Sequence, residues 1–152
     1  MQNRRRMLRD SAALAAALAG LGLLPQVAQA AWNRAAFGAR KLEDLIQVLG
    51  VSAPTESSEV VVSGPDVAEN GAVVAVGCES TASGVRQLLL LVEKNPNMLA
   101  MIFDVNEHAE PAFNTRLKMA ESSRVIAIAL ADDGRVLYAQ KEIDVTLGGC
   151  GG

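Results

Sequence analysis

The sequence predicts an all-β fold: an immunoglobulin-like antiparallel β-sandwich with one N-terminal amphipathic helix and a flexible C-terminal arm. After Gly50 the chain breaks into short β-branched or aliphatic segments separated by turn signals. No helical period returns in that stretch. The last five residues of the sequence, Gly148-Gly149-Cys150-Gly151-Gly152, offer a single reactive group, a thiol, set among residues with no side chain and the loosest backbone.

Residues 1–30 read as an export signal. Arg4, Arg5, Arg6 and Arg9 form a positive region, Ser11 to Leu24 is uncharged and mostly Ala and Leu, and Ala28-Gln29-Ala30 is a small-residue cleavage site. The order Arg4-Arg5-Arg6-Met7-Leu8-Arg9 resembles a twin-arginine signal, a route that carries proteins already folded; the alternatives are an ordinary secretory signal and a membrane anchor. The apolar run is short of the roughly 20 residues that a bilayer span needs, which argues against a membrane anchor. Cleavage after Ala30 would leave one domain with a net charge of −6, from 10 basic and 16 acidic residues. No cluster of Lys and Arg lies beyond residue 30, so nucleic acid and anionic membranes are poor partners. His108 is the single histidine, and no Cys/His set has metal-ligand spacing, so neither a metal nor a bound cofactor is expected.

Residues 31–50 are expected to form the helix. Ala35, Ala39, Leu42, Leu45, Ile46 and Leu49 recur at helical spacing, charged residues fall between them, and Gly50 is the stop. Ser52 to Ser58, with Pro54, reads as a linker. The sandwich is expected over 59–147. Its strands are Glu59–Ser63, Ala72–Cys78, Val85–Glu93, Met98–Asp104, Thr115–Ala120, Arg124–Ala131, Val136–Lys141 and Ile143–Leu147. Glu69-Asn70-Gly71, Asn95-Pro96-Asn97 and Asp132-Asp133-Gly134 mark turns, the last a hairpin signal. Ile126, Ile128 and Leu130 alternate with Val125, Ala127 and Ala129, giving that strand a bulky face and a smaller one. In the final strand Ile143, Val145 and Leu147 share one face and Asp144 and Thr146 the other, up to Gly148. The arm therefore leaves directly from a sheet, and five residues give it a reach of roughly 15 Å.

The two cysteines read differently. Cys78 is in phase with Val74 and Val76 and is expected in the core. Cys150 sits where a disulfide would order nothing, and a free thiol in an oxidising compartment needs a reason to be exposed. No general base, acid or oxyanion donor is encoded beside it. The thiolate must then be promoted by whatever site receives the arm, which describes a carrier rather than an enzyme, with no catalytic residues of its own. Glycines keep the arm thin enough for a narrow cleft.

The Gly148-Gly149-Cys150-Gly151-Gly152 motif, the twin-arginine order and Ala68-Glu69-Asn70-Gly71 followed by Ala72-Val73-Val74 together resemble the SoxY family, the sulfur carriers of the periplasmic Sox thiosulfate-oxidation system. Two positions depart from the resemblance: Ala75 stands where a proline is expected, and Cys78 is an extra thiol. The resemblance implies that Cys150 is the covalent attachment point and that Gly148, Gly149, Gly151 and Gly152 form the flexible arm. It implies a heterodimer with a SoxZ-like β-sandwich subunit, a haem enzyme that conjugates thiosulfate to Cys150 as an S-thiosulfonate, a hydrolase that releases sulfate, and an enzyme that oxidises the remaining sulfane. It also implies a periplasmic location. Three other classes compete: a structural sandwich disulfide-linked through its tail, a ubiquitin-like carrier acting through a terminal carboxylate, and a metal-delivery protein. The second leaves Cys150 without a role, and the third has one thiol and no neighbouring ligands.

Overall fold

The structure, a computed structural model, describes residues 33–148. Within them, two short helices precede nine strands. The single helix expected over residues 31–50 is two, α1 (Arg34–Phe37) and α2 (Leu42–Leu49). The break has a local cause. The Asn33 side chain accepts a hydrogen bond from the Ala36 amide at 3.1 Å and starts a turn, and Gly38 closes it by donating to the carbonyls of Arg34 and Ala35. Ala35 falls on the exposed side, and the buried alanines are Ala36 and Ala39. In α2 the expected face holds: Leu45 is buried, while Leu42, Ile46 and Leu49 are half-buried. Gly50 caps it at φ 64°, in the left-handed region that glycine enters without steric penalty.

The strands are β1 (Thr55–Glu56), β2 (Val60–Ser63), β3 (Val67–Asn70), β4 (Val74–Ser80), β5 (Val85–Val92), β6 (Leu99–Asp104), β7 (Ala112–Leu117), β8 (Ser123–Ala131) and β9 (Val136–Leu147). The larger sheet runs β1-β9-β8-β5-β6, with β3 also on β9, and the smaller runs β2-β4-β7. The fold is a β-sandwich as expected, with two refinements. The last two predicted strands are one unbroken strand of 12 residues. The segments β1 and β3, read from sequence as linker and turn, are short strands that pair parallel to β9, at residues 137–138 and 144–147 respectively.

The central strands β5 and β8 explain the layering. Leu88, Leu90 and Val92 join Val125, Ala127 and Ala129 on the face toward the smaller sheet. Leu89 and Leu91 join Ile126, Ile128 and Leu130 on the other face, under Ala36, Ala39 and Leu45 of the helical segment. Both faces of these strands are buried, so they read as continuous apolar runs. In β8 the alternation sets size rather than polarity: Val125, Ala127 and Ala129 face the sheet-to-sheet core, and the bulkier Ile126, Ile128 and Leu130 face the helices. Each fully buried Leu or Ile contributes about 1.5–3 kcal/mol. No helix among the described residues is long and apolar enough to cross a membrane.

Candidate functional site

Cys150 and Gly149, Gly151 and Gly152 lie outside the described residues, as does the signal sequence at 1–30. The structure describes the root from which that segment leaves, and the root is held on two sides. On one side β3 lies alongside β9, pairing Ala68 with Val145 and Asn70 with Leu147. The Gly71 amide donates to the Leu147 carbonyl at 2.7 Å. Further back, the Asp144 amide donates to the Asp66 carbonyl at 2.9 Å, and Lys141 Nζ meets the Asp66 carboxylate at 2.6 Å. That lysine holds the Asp66 carboxyl below its ordinary value, through the hydrogen bond first and its charge second.

On the other side the antiparallel pairing with β8 ends at Ser123–Ile143. Beyond it the connection from β7 to β8 takes over. Ser122 Oγ accepts from the Val145 amide at 2.8 Å. The Met119 amide donates to the Gly71 carbonyl at 2.7 Å, and the Met119 side chain is fully buried. The carbonyl of Ala120 closes over Gly148, where any Cβ would collide with it. Gly148 is thus required at the root for space, before any question of flexibility arises. The face pattern predicted for the last strand is present, with a gradient: Ile143 is buried, Val145 half-buried, and Leu147 67% exposed.

The connection is itself tied down by a residue that the sequence marked only as a turn. Asn95, between β5 and β6, donates from Nδ2 to the Lys118 carbonyl at 2.7 Å and accepts at Oδ1 from the Ala120 amide at 3.0 Å. Ser122 and Asn95 carried no signal as site residues, because their partners are backbone groups more than twenty positions away.

Cys78 is the contrasting thiol. It lies on β4 opposite Val62 and Phe113, is 2% exposed, and is free. Burial, with a smaller contribution from the neighbouring Glu79 charge, pushes its thiol up to about 12. At neutral pH it is a protonated, shielded group and a poor nucleophile. No group of three or more His, Cys, Asp or Glu side chains suited to a metal ion occurs among the described residues.

Comparison with known proteins places this geometry. Residues 45–150, a span that includes Cys150, match the model of the family described as sulfur oxidation protein SoxY. The structure of the sulfur carrier protein SoxY from Chlorobium limicola f thiosulfatophilum is similar, at 29% identity over 70% of this chain and 97% of that one, with a TM-score of 0.63. A superoxide reductase (neelaredoxin) from Ignicoccus hospitalis has a TM-score of 0.51 at 20% identity, over 57% of this chain and 78% of that one, which is a likeness of fold. No curated protein sequence matches the chain.

Proposed function

This chain belongs to the SoxY family of sulfur oxidation proteins, and on that premise we propose that it is a covalent sulfur carrier in thiosulfate oxidation, with Cys150 as the attachment point. One observation carries the reading. The Gly148-Gly149-Cys150-Gly151-Gly152 segment follows a strand end that is hydrogen-bonded on both sides, while Cys78 is buried and protonated. A thiol meant to enter other proteins needs a fixed base and a thin, free arm, and the glycines on either side of Cys150 provide that arm.

In the proposed cycle the Cys150 thiol and thiosulfate form a new S–S bond. The product is a cysteine S-thiosulfonate, one proton leaves, and two electrons pass one at a time through the haem of the conjugating enzyme to an external electron-transfer protein. Water then attacks the terminal sulfone in a hydrolase. Sulfate and two protons leave, and a persulfide anion stays on Cys150. A further enzyme oxidises that sulfane. The chain supplies no catalytic residue and no cofactor; it presents the sulfur. A SoxZ-like sandwich subunit completes the carrier, and the twin-arginine signal brings the folded pair to the periplasm. Gly149, Gly151 and Gly152 keep the arm narrow at some entropic penalty for ordering it, about 1–2 kcal/mol per residue, so visits to each enzyme are brief.

The test is substitution at the two thiols. Cys150→Ser is expected to abolish loading by thiosulfate and leave the cooperative melt unchanged, and Cys78→Ala to keep loading. Retained loading in Cys150→Ser, read by peptide mass, would remove the attachment point from this residue.

A further inference from the structure

We propose that Asn95 is a positioning residue for the arm: it holds the β7–β8 connection against Gly148 and so fixes the point from which the arm carrying Cys150 starts. The inference rests on the carrier reading of Cys150. Asn95 touches neither β9 nor Gly148 in any hydrogen bond described; its side chain spans residues 118 and 120, one bond to each. Those two bonds fix the peptide units on both sides of Met119, whose side chain is buried in the core and whose amide is bound to Gly71. The next carbonyl, that of Ala120, is the group that closes over Gly148. Two residues further, Ser122 Oγ holds the Val145 amide. Asn95 therefore braces the wall against which the arm starts.

The bracing matters because the tether is short. Cys150 lies two residues beyond Gly148, a distance of about 7 Å at full extension. A shift of that starting point moves the range the sulfur can reach by the same amount, and a misplacement of about 1 Å at a reacting atom can lower a rate by about 100-fold. Asn95 is half-buried and both its side-chain bonds reach the connection rather than a strand, so removing its side chain is expected to act on the arm's starting point more than on folding.

The experiment measures loading of Cys150 with thiosulfate by the conjugating haem enzyme, in four proteins: wild type, Asn95→Ala, Gly148→Ala, and the double variant. Each single change is expected to lower kcat/KM about tenfold, the effect of one to two hydrogen bonds. The double variant is expected to be no worse than Gly148→Ala alone, because a loosened connection yields to the added methyl group. Alkylation of Cys150 by iodoacetamide should stay at the wild-type rate in all four, since a small reagent reaches the thiol wherever the arm starts. Asn95→Asp keeps the acceptor for Ala120 and loses the donor to Lys118, and should be intermediate; it also serves if the alanine variant does not fold. Losses that multiply independently, or an unchanged kcat/KM with only a lower Tm, would overturn the positioning role. Wild-type protein that takes up no sulfur would instead overturn the carrier reading.

Discussion

The two halves of β9 are one continuous strand with opposite surroundings. From Val136 to Ile143 it is paired with β8 along its length, and its inward side chains lie in the core. From Asp144 to Leu147 it has lost β8, its partners are β3 and the oxygen of one serine, and its inward face opens until Leu147 is mostly in water. Core packing reinforces the backbone pairing of the first half; the second relies mainly on hydrogen bonds from its backbone. A strand that ended with its core would release the chain at an undefined angle. Extending it by a few hydrogen-bonded residues carries the exit point past the core and keeps it fixed.

That contrast orders the expected effects of substitution. The largest belongs to the first half. Ile143→Ala removes a fully buried side chain and should destabilise by about 2–5 kcal/mol in denaturant melts. A loss below about 1 kcal/mol would mean that this half is not anchored by packing.

An intermediate effect belongs to the smaller sheet and comes from pH. The Cys78 thiol is raised from 9.0 to about 12 in the folded protein, so the native state disfavours the thiolate that the unfolded chain forms freely. This raised-pKa group contributes its full stability below about pH 9 and loses it as pH rises toward about 12, at up to about 1.4 kcal/mol per pH unit. Other groups titrate in that window, so the comparison is with Cys78→Ala, whose stability should decline less steeply above pH 9. Parallel curves would remove the buried thiol from the account.

The smallest effect belongs to the end of the second half. Leu147→Ala should change stability by less than about 0.5 kcal/mol, because its side chain is largely in water already. A loss above about 2 kcal/mol would show that packing, and not only the hydrogen bonds to Gly71 and Ser122, fixes the exit point.

Much of the sandwich was legible because β5 and β8 carry strong local signals: aliphatic and β-branched runs followed by Asn95-Pro96-Asn97 and Asp132-Asp133-Gly134. The misreadings share a cause, which is pairing that leaves little pattern in sequence. Thr55–Glu56 exposes both side chains, and Val67–Asn70 buries only Ala68, so neither shows alternation; each is a strand because β9 supplies the partner. The strand expected at Thr115–Ala120 lies at Ala112–Leu117, where Phe113, Thr115 and Leu117 turn inward, and the residues after it become the connection that braces Gly148. The helix split at Gly38 because a capping Asn33 and a glycine outweighed a continuous spacing of alanines. The motif from Gly148 to Gly152, on which the carrier proposal rests, was legible in the sequence, since a thiol among glycines is a local signal. Its mounting was not, since Ser122 and Ala120 reach the root, and Asn95 reaches Ala120, only through the fold.

The most direct test of the account is the intact mass of the protein from cells grown with and without thiosulfate, taken before and after reductant, with the C-terminal peptide sequenced by mass. The account predicts additions containing sulfur that appear with thiosulfate, localise to Cys150, leave Cys78 unmodified and vanish on reduction. A C-terminal peptide that is always unmodified, or permanently joined to another chain by a disulfide, would contradict it.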